Sequence, residues 1–163
     1  MRIRDAKWPD DLVIVRSLFE DYVAEIGVDL SFQGFAAEVA DLPGKYVEPR
    51  GGLWLAEASE RVVGCIALRS LSDEVAEMKR LFVASSFRSQ GVGRALIEHA
   101  VMAATRMNFR EVCLDTLAGM HSALRLYKSL RFEETEPYYS NPIPGAIFLM
   151  RLLAEQSNAA DSR

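Results

Sequence analysis

The chain lacks the residues and segments that define several classes of protein. Its 163 residues include two cysteines and two histidines, with no spacing that resembles a metal site. No apolar run reaches the roughly 20 residues that span a bilayer, and the first eleven residues lack a secretory signal. A net charge of −4 gives no basic surface for non-specific nucleic-acid binding. We therefore expect no metal, nucleic acid or membrane among its partners.

The cysteines and the composition indicate a compartment and a domain. Cys65 and Cys113 lie in apolar, strand-like runs, so we expect buried free thiols, which with no signal favour a reducing cytoplasm. Half of the residues are hydrophobic, which suits a globular chain. We expect one domain over residues 1–154 and a polar, disordered tail over residues 155–163.

Hydrophobic periodicity predicts strands and helices of one α/β or α+β domain. Predicted strands surround Ile3 and cover residues 53–58, 61–69, 75–83, 112–114 and 146–152. Predicted helices begin after a cap at Asp10 or Asp11 and cover residues 32–42, 92–107 and 121–130. A tight turn at Ser59 and Glu60 is expected to join the second and third strands.

The most informative segment is an Arg- and Gly-rich turn between a predicted strand and a predicted helix. Residues 83–94 read VASSFRSQGVGR, with Gly91 and Gly93 at the helix start. Free N–H groups at a helix N-terminus suit a phosphate or pyrophosphate, and Arg88 and Arg94 add positive charge. The spacing is neither a P-loop nor a dinucleotide fingerprint. The residues alone also allow a helix start at which the glycines merely ease the turn.

The order of motifs resembles the GNAT superfamily of acetyl-CoA-dependent N-acetyltransferases. The turn matches Arg/Gln-x-x-Gly-x-Gly/Ala at Arg88, Gly91 and Gly93. The later helix matches Ala-x-x-x-Tyr at Ala123 and Tyr127. The resemblance covers nearly the whole chain. It implies a mixed, largely antiparallel sheet that is splayed between strands 4 and 5, with helices on both faces.

Two positions depart from the family pattern. Met120 stands where the family often has Asn, seven residues before Tyr127, so a side-chain contact to the cofactor is not expected there. Arg131 stands where the family often has Gly before Phe132, and that Gly normally ends the helix in a left-handed conformation. Arg131 must end the helix in another way or adopt a strained backbone.

The resemblance implies acetyl-CoA as the cofactor. The pantetheine arm would pair with the backbone of residues 81–83 as an added strand would, and the pyrophosphate would bind the amides of residues 89–94. The thioester would end near Tyr127 and Glu77. The implied cofactor-binding residues are Leu81, Phe82, Val83, Arg88, Ser89, Gln90, Gly91, Val92, Gly93, Arg94 and Ala123.

Acetyl transfer needs a neutral amine, yet a free alkylamine is mostly protonated at pH 7. The resemblance implies Tyr127 as the acid that protonates sulfur and Glu77 as the base, directly or through water. From the residues alone, Tyr127 is more simply an aromatic of the helix's apolar stripe, and a solvated carboxylate is an equally good interpretation of Glu77. His121 is a further relay candidate, although a histidine at a helix start is expected to face water.

The acceptor site is harder to place from sequence. The candidate lining residues are Arg80, Tyr138, Tyr139 and Asn141, with Lys79 as a further one. Strict alternation puts Glu77, Lys79 and Leu81 on one face of the strand and Met78 and Arg80 on the other, unless a bulge breaks the parity. If Arg80 faces the acceptor, an acceptor carboxylate becomes attractive. Otherwise Lys79 and Arg80 are surface charges.

The sequence leaves three functions open. The first is transfer of an acetyl group from acetyl-CoA to a primary amine of a small molecule, such as an amino acid, by direct attack in a ternary complex. The second is a CoA-binding regulatory module without turnover. The third is acetylation of protein lysines or N-termini. A homodimer is compatible with the sequence, which does not decide the assembly.

Overall fold

The fold is a seven-stranded sheet with helices on both faces, described by a computed structural model over residues 1–154. The strands are β1 (Arg2–Asp5), β2 (Gly52–Ala58), β3 (Arg61–Ser70), β4 (Val75–Val83), β5 (Glu111–Leu117), β6 (Glu133–Glu134) and β7 (Ala146–Leu152). The helices are α1 (Leu12–Ile26), α2 (Phe35–Asp41), α3 (Val92–Arg106) and α4 (His121–Ser129). The predicted tail at residues 155–163 lies outside the described residues.

The sheet order is β1-β2-β3-β4-β5-β7-β6. Every neighbouring pair is antiparallel except β4 and β5, which run parallel. Because successive strand residues point to opposite faces, Trp54 packs in the layer that contains α3, while Leu55 packs against α1. The structure confirms the mixed, largely antiparallel sheet.

The two parallel strands separate soon after they begin. Val75, Ala76 and Glu77 pair with residues 111–113, and among residues 1–154 no later residue of β4 pairs with β5. β5 continues to pair with β7 as far as Leu117. The splay between the fourth and fifth strands is thereby confirmed, and one edge of β4 is free from Met78 onward.

A β-bulge in β4 sets which of its side chains share a face. Cys65 of β3 pairs with Phe82, but Ala67, two residues later, pairs with Lys79, so β4 contains one extra residue. Arg80 lies at this irregularity with a φ of 58°. The bulge breaks strict alternation: Lys79 and Arg80 both turn toward the side of α1 and α2, whereas Leu81 packs in the α3 layer.

Three local features differ from the sequence prediction. Residues 31–33 form a 3-10 turn that ends at left-handed Gly34, so α2 begins at Phe35. β5 runs on to Leu117, because its pairing with β7 continues past the apolar run. The two residues of β6 carry no strand-like pattern, and they form a strand by pairing with Met150 and Leu149 of β7.

Asp11 stands at the N-cap position of α1, as predicted, but it does not cap the helix. Its carboxylate accepts hydrogen bonds from the Arg4 guanidinium, at 2.6 and 3.0 Å, and from the Lys7 amide at 2.6 Å. The Arg4 hydrogen bonds hold the pKa of Asp11 below its usual value. Asp11 therefore ties the helix start to β1.

The cysteines occupy the interior of the sheet. Cys65 and Cys113 are buried free thiols, and burial raises the pKa of each to about 12. Within residues 1–154, no helix has both the length and the apolar character needed to cross a membrane. The same residues contain no group of three or more His, Cys, Asp or Glu side chains that could hold a metal ion.

Candidate active site

The splay between β4 and β5 opens a cavity of about 70 Å³. Met78–Leu81 and Leu114–Leu117 form facing walls, and Ala123 and Tyr127 of α4 line it as well. The remaining lining residues come from the first 33 residues and the loop before β7: Tyr22, Ile26, Val28, Leu30, Gln33, Asn141 and Ile143, together with Met120. The cavity is thus bounded by segments that are distant in the sequence.

The Arg- and Gly-rich turn leads from the free end of β4 into α3. Gly91, at the N-cap of α3, has a φ of 81°, a conformation that glycine adopts without steric cost. Among residues 1–154, Ala95 has the first amide after Arg88 that donates a backbone hydrogen bond, to the Gly91 carbonyl oxygen at 3.0 Å. The intervening amides of residues 89–94 are thus available to an anionic ligand.

The side chains around this turn hold its shape. Arg88 donates a hydrogen bond from Nε to the Val83 carbonyl oxygen at 2.9 Å, and its guanidinium pairs with Glu25. Arg94 donates to Ser129 Oγ at 2.8 Å and so links α3 to α4. Gln90 donates from its side chain to the Ser86 carbonyl oxygen at 3.0 Å. The two arginines flank the turn, as predicted, and each already has a protein partner.

Tyr127 lies on α4 at the wall of the cavity. Its residue exposure is 7%, and its ring packs edge-on against Phe132 at 5.8 Å between centroids. Burial raises the pKa of Tyr127 above its usual value, with a further contribution from the charge of Asp115. Its hydroxyl makes no hydrogen bond to any of residues 1–154. A phenol in this setting is protonated at neutral pH and has a proton to donate.

Glu77 lies at the end of the paired part of β4 and does not line the cavity. Its side chain is 1% exposed, and its carboxylate accepts a hydrogen bond from Arg69 Nε at 2.8 Å. Lys79 Nζ lies 3.6 Å from the same oxygen. Burial lowers the pKa of Lys79, with Glu77 opposing the shift. Two cations therefore neutralise the carboxylate proposed as the base.

Arg80 lines the cavity but has a complete ion pair. Its guanidinium donates to Glu38 at 3.1 and 2.6 Å and to Gln33 Oε1 at 3.0 Å. It also lies against the rings of Tyr22 and Phe35. Burial alone would raise the pKa of Glu38, but the hydrogen bonds and charge of Arg80 hold that pKa below its usual value. The pair joins α2 to the bulge of β4.

A second polar cluster surrounds Asp115 on the opposite wall. Asp115 Oδ2 accepts hydrogen bonds from the Tyr139 hydroxyl and, at 3.0 Å, from Asn141 Nδ2. Gln33 Nε2 donates to the Tyr139 hydroxyl at 2.9 Å, while its Oε1 faces Lys79 Nζ at 3.4 Å. Gln33 thus connects the cations of β4 to the carboxylate of β5.

The remaining predicted residues lie at the edge of the cavity or outside it. Tyr138 and Tyr139 do not line it, although the Tyr139 hydroxyl donates a hydrogen bond to Asp115. The Tyr138 hydroxyl is buried without a hydrogen-bond partner among residues 1–154, and burial and the charge of Glu77 raise its pKa. His121 is exposed at the start of α4, as expected.

Sequence reasoning missed Gln33, Glu38 and Asp115. The first two belong to a weakly patterned helical region and meet Arg80 from 47 and 42 residues away, so no local motif marks them. Asp115 follows the apolar run 112–114, where the predicted strand ended. Its one available signal was a carboxylate directly after a buried strand.

The splayed sheet is the arrangement that the motif resemblance led us to expect, and comparison with known families gives the class of the protein, an acyltransferase. Residues 15–132 match the Acetyltransferase (GNAT) family. The chain therefore belongs to the GNAT family of acetyltransferases, as the motifs at the turn and at α4 had indicated.

Two relatives illustrate the similarity in sequence. An uncharacterised N-acetyltransferase of Schizosaccharomyces pombe is 35% identical over 149 residues, which cover 90% of this chain and 91% of the relative. The N-acetylaspartate synthetase of Danio rerio is 36% identical over 106 residues, 62% of this chain. That match covers 38% of the zebrafish protein.

Two solved structures share the fold at lower identity. A GNAT acetyltransferase of Staphylococcus aureus has a TM-score of 0.78 at 20% identity, covering 94% of this chain and 99% of the other. A GNAT acetyltransferase of Elizabethkingia anophelis, solved with acetyl-CoA bound, has a TM-score of 0.60 at 21% identity. Its match covers 93% of this chain and 97% of the other.

Proposed function

We propose that the protein transfers an acetyl group from acetyl-CoA to the primary amine of a small molecule that also carries a carboxylate. The observation that carries this proposal is the cavity in the splay, which joins the free edge of β4 to an enclosed cluster of charged side chains. The similarity to an N-acetylaspartate synthetase, whose name denotes an acetylated amino acid, agrees with it.

The residues present fit acetyl-CoA as the acyl donor. The free backbone edge of residues 81–83 offers hydrogen bonds to an amide-containing arm, and the amides of residues 89–94 offer donors to a diphosphate. Arg88 and Arg94 add positive charge beside those amides, and Ala123 leaves room at the cavity wall. When bound, acetyl-CoA supplies an acetyl thioester, the electrophile of the reaction.

Tyr127 is proposed as the proton donor. In the transfer, the amine nitrogen bonds to the acetyl carbon, the carbon–sulfur bond breaks, and the departing sulfur takes a proton. The protonated phenol of Tyr127 lines the cavity and is free to give that proton. The amine must also lose a proton to a carboxylate, for which the chain offers Glu77, acting through water, and Asp115.

Lys79 is proposed to bind the acceptor's carboxylate. Arg80 shares its face, but its charge is already balanced by two hydrogen bonds to Glu38. Lys79 has only longer contacts, at 3.4 Å to Gln33 and 3.6 Å to Glu77, so its ammonium can take another anionic partner. Asn141 and Arg80 line the same space. Walls from five segments favour a small acceptor over a folded protein's lysine.

The test measures CoA release by purified protein with a panel of amino acids, their decarboxylated amines and a lysine-containing protein. We expect amino acids to be the preferred acceptors. Acetyl-CoA binding without turnover would favour a regulatory module instead, and activity on the protein alone would favour protein acetylation.

The Tyr127→Phe variant tests the proton donor. We expect kcat to fall by about 10²- to 10⁴-fold while the acetyl-CoA Kd stays within about threefold, because the phenol acts on the leaving group only. Tyr46→Phe, at a buried tyrosine whose hydroxyl donates to Glu38 and not into the cavity, controls for the loss of a buried phenol and of a polar contact to the Arg80–Glu38 pair. Loss of acetyl-CoA binding in Tyr127→Phe would show a structural role.

A further inference from the structure

Asp115 is a carboxylate in the cavity without a cationic partner. Glu77 is paired with Arg69 and Lys79, and Glu38 is paired with Arg80. Among the described residues, Asp115 forms no ion pair, and its hydrogen-bond donors are the neutral groups of Tyr139, Asn141 and Gln33. Neutral donors hold a carboxylate in place without supplying an opposite charge, so a cationic group of a ligand can provide the partner that the protein does not.

The hydrogen-bond donors around Asp115 all contact one oxygen of its carboxylate and leave the other oxygen available to a ligand. All three hydrogen bonds reach Oδ2, and Oδ1 accepts none from residues 1–154. Tyr139 and Asn141 are themselves joined by a hydrogen bond of 3.1 Å, so the carboxylate is held by a connected network. Its orientation is thereby fixed while one oxygen remains able to accept a proton.

Asp115 lies in the open part of the splay and lines the same cavity as the proposed proton donor. It is two residues beyond Cys113, the last residue of β5 that pairs with β4, so it belongs to the open part of the splay. It lines the same cavity as Tyr127, the proposed proton donor, and its charge contributes to the environment of that phenol. Glu77 lies before the opening and does not line the cavity.

We propose that Asp115, and not Glu77, binds the acceptor's ammonium group through Oδ1 and takes its proton. This inference rests on the proposed acetyltransferase activity and names the ammonium subsite of the same cavity. Tyr139, Asn141 and Gln33 are positioning residues that hold Oδ2, and Lys79, on the facing strand, binds the acceptor's carboxylate. The site would thus accept a molecule that carries both an ammonium and a carboxylate.

The protons balance as follows. Asp115 takes one proton from the ammonium and gives a neutral amine, which forms the nitrogen–carbon bond as the carbon–sulfur bond breaks. Sulfur receives the Tyr127 proton, and the second proton lost by nitrogen restores the phenol, directly or through water. Asp115 then releases its proton to solvent. One proton is released for each amide and CoA formed.

The principal experiment compares Asp115→Asn with Glu77→Gln in steady-state kinetics from pH 6 to pH 10. For Asp115→Asn we expect kcat/KM to fall by about 10²- to 10⁴-fold at pH 7, with acetyl-CoA affinity kept by calorimetry. The remaining rate should rise about tenfold per pH unit toward the amine's own pKa, because only amine that is already neutral in solution then reacts. Glu77→Gln should not acquire this tenfold rise per pH unit; because Glu77 pairs with Lys79, its effect should fall on the binding of the acceptor's carboxylate.

Other titratable groups lie near Asp115, so a second variant is needed to assign the pH effect to Asp115 itself. They are Lys79, Tyr22, Tyr127, Tyr138, Tyr139 and Cys113. Asp115→Glu, which keeps the charge and moves it by one methylene, is the second variant. It should lose less activity than Asp115→Asn and retain the wild-type profile. Equal loss in both variants would overturn the inference, as would the wild-type rate and profile in Asp115→Asn.

The same variants separate this inference from the proposed function. If the wild-type protein acetylates no amine, the affinity of an amino acid for the protein's acetyl-CoA complex is measured by calorimetry in place of kcat/KM. Binding to wild type and at least tenfold weaker binding to Asp115→Asn would support the ammonium subsite although the enzyme proposal had failed. Equal binding would overturn the subsite. If wild type turns over but the tenfold rise per pH unit appears in Glu77→Gln and not in Asp115→Asn, this inference is overturned and the proposed acetyltransferase activity stands.

Discussion

Arg131 adopts a left-handed backbone conformation, which is sterically strained for a residue that has a Cβ atom. Its φ is 66°, and its amide donates to the Lys128 carbonyl oxygen at 3.1 Å. The Phe132 amide donates to the Tyr127 carbonyl oxygen at 3.1 Å, which completes the pair of bonds of a Schellman motif. Of the two outcomes expected for this position, the chain takes the strained one and keeps the helix end of its family.

We predict that Arg131→Gly raises the free energy of unfolding by about 0.5–1 kcal/mol. Relief of the left-handed strain, roughly 1–2 kcal/mol, exceeds the entropy that glycine adds to the unfolded chain. Urea unfolding at 25 °C measures the change. Arg131→Ala removes the same side chain without relieving the strain, so its stability should stay near wild type. Equal stability of the Gly and Ala variants would contradict this account.

The turn between β4 and α3 is a unit whose backbone and side chains are suited to one anion. The amides of residues 89–94 donate no backbone hydrogen bond within the part of the chain that the structure describes, while Arg88 and Arg94 are held in place by Glu25, the Val83 carbonyl and Ser129. Each arginine therefore flanks the amides at little additional entropic cost. A ligand diphosphate at this turn would gain both neutral and charged donors.

We predict that combining Arg88→Ala with Arg94→Ala weakens CoA binding about ten- to hundredfold, because two charged donors are lost. Pantetheine, which lacks the diphosphate, should bind as it does to wild type. Calorimetry with both ligands measures the difference. The control combines Arg61→Ala with Arg110→Ala at exposed arginines on other segments. Unchanged CoA affinity in the first variant would remove the phosphate role from both residues.

Local motifs mark the residues proposed for the acyl-donor half of the site but not those proposed for the acceptor half. Gly91, Ala123 and Tyr127 lie within short patterns that a single segment determines. Asp115 owes its position to the pairing of β5 with β7, which carries the strand past the apolar run. The shared face of Lys79 and Arg80 depends on the register of β3 against β4. Such features come from contacts between distant segments, which periodicity within one segment does not encode.

Two buried or partly buried ion pairs tie the helices of one face to the sheet. Arg4 of β1 holds Asp11 at the start of α1, and Arg80 of β4 holds Glu38 of α2. Both carboxylates have a pKa below the usual value in the folded protein. In acid, the unfolded chain therefore binds more protons than the folded one, so folding stability falls as pH falls.

We predict that the free energy of unfolding falls modestly from pH 7 to about pH 5, because partial burial holds the pKa of His99 below its usual value, and falls more steeply below about pH 4.5, where unfolded carboxylates begin to protonate. Urea unfolding at a series of pH values measures this. Asp11→Asn should be less stable at pH 7 and lose less stability on acidification. Asp21→Asn, at an exposed aspartate of α1, should retain the wild-type slope. An identical slope in Asp11→Asn would contradict the prediction.

The extra residue at Arg80 makes the length of β4 as consequential as its composition. The bulge adds one residue to β4 between Lys79, which pairs with Ala67, and Phe82, which pairs with Cys65. Deletion of Arg80 would leave a regular register, with Lys79 still opposite Ala67 and Phe82 still opposite Cys65, and would remove the ion pair that holds α2 through Glu38. Uniform alternation would place only one of two consecutive residues on the side of α1 and α2, so the second cation stands there only because β4 carries one residue more than the segment of β3 beside it.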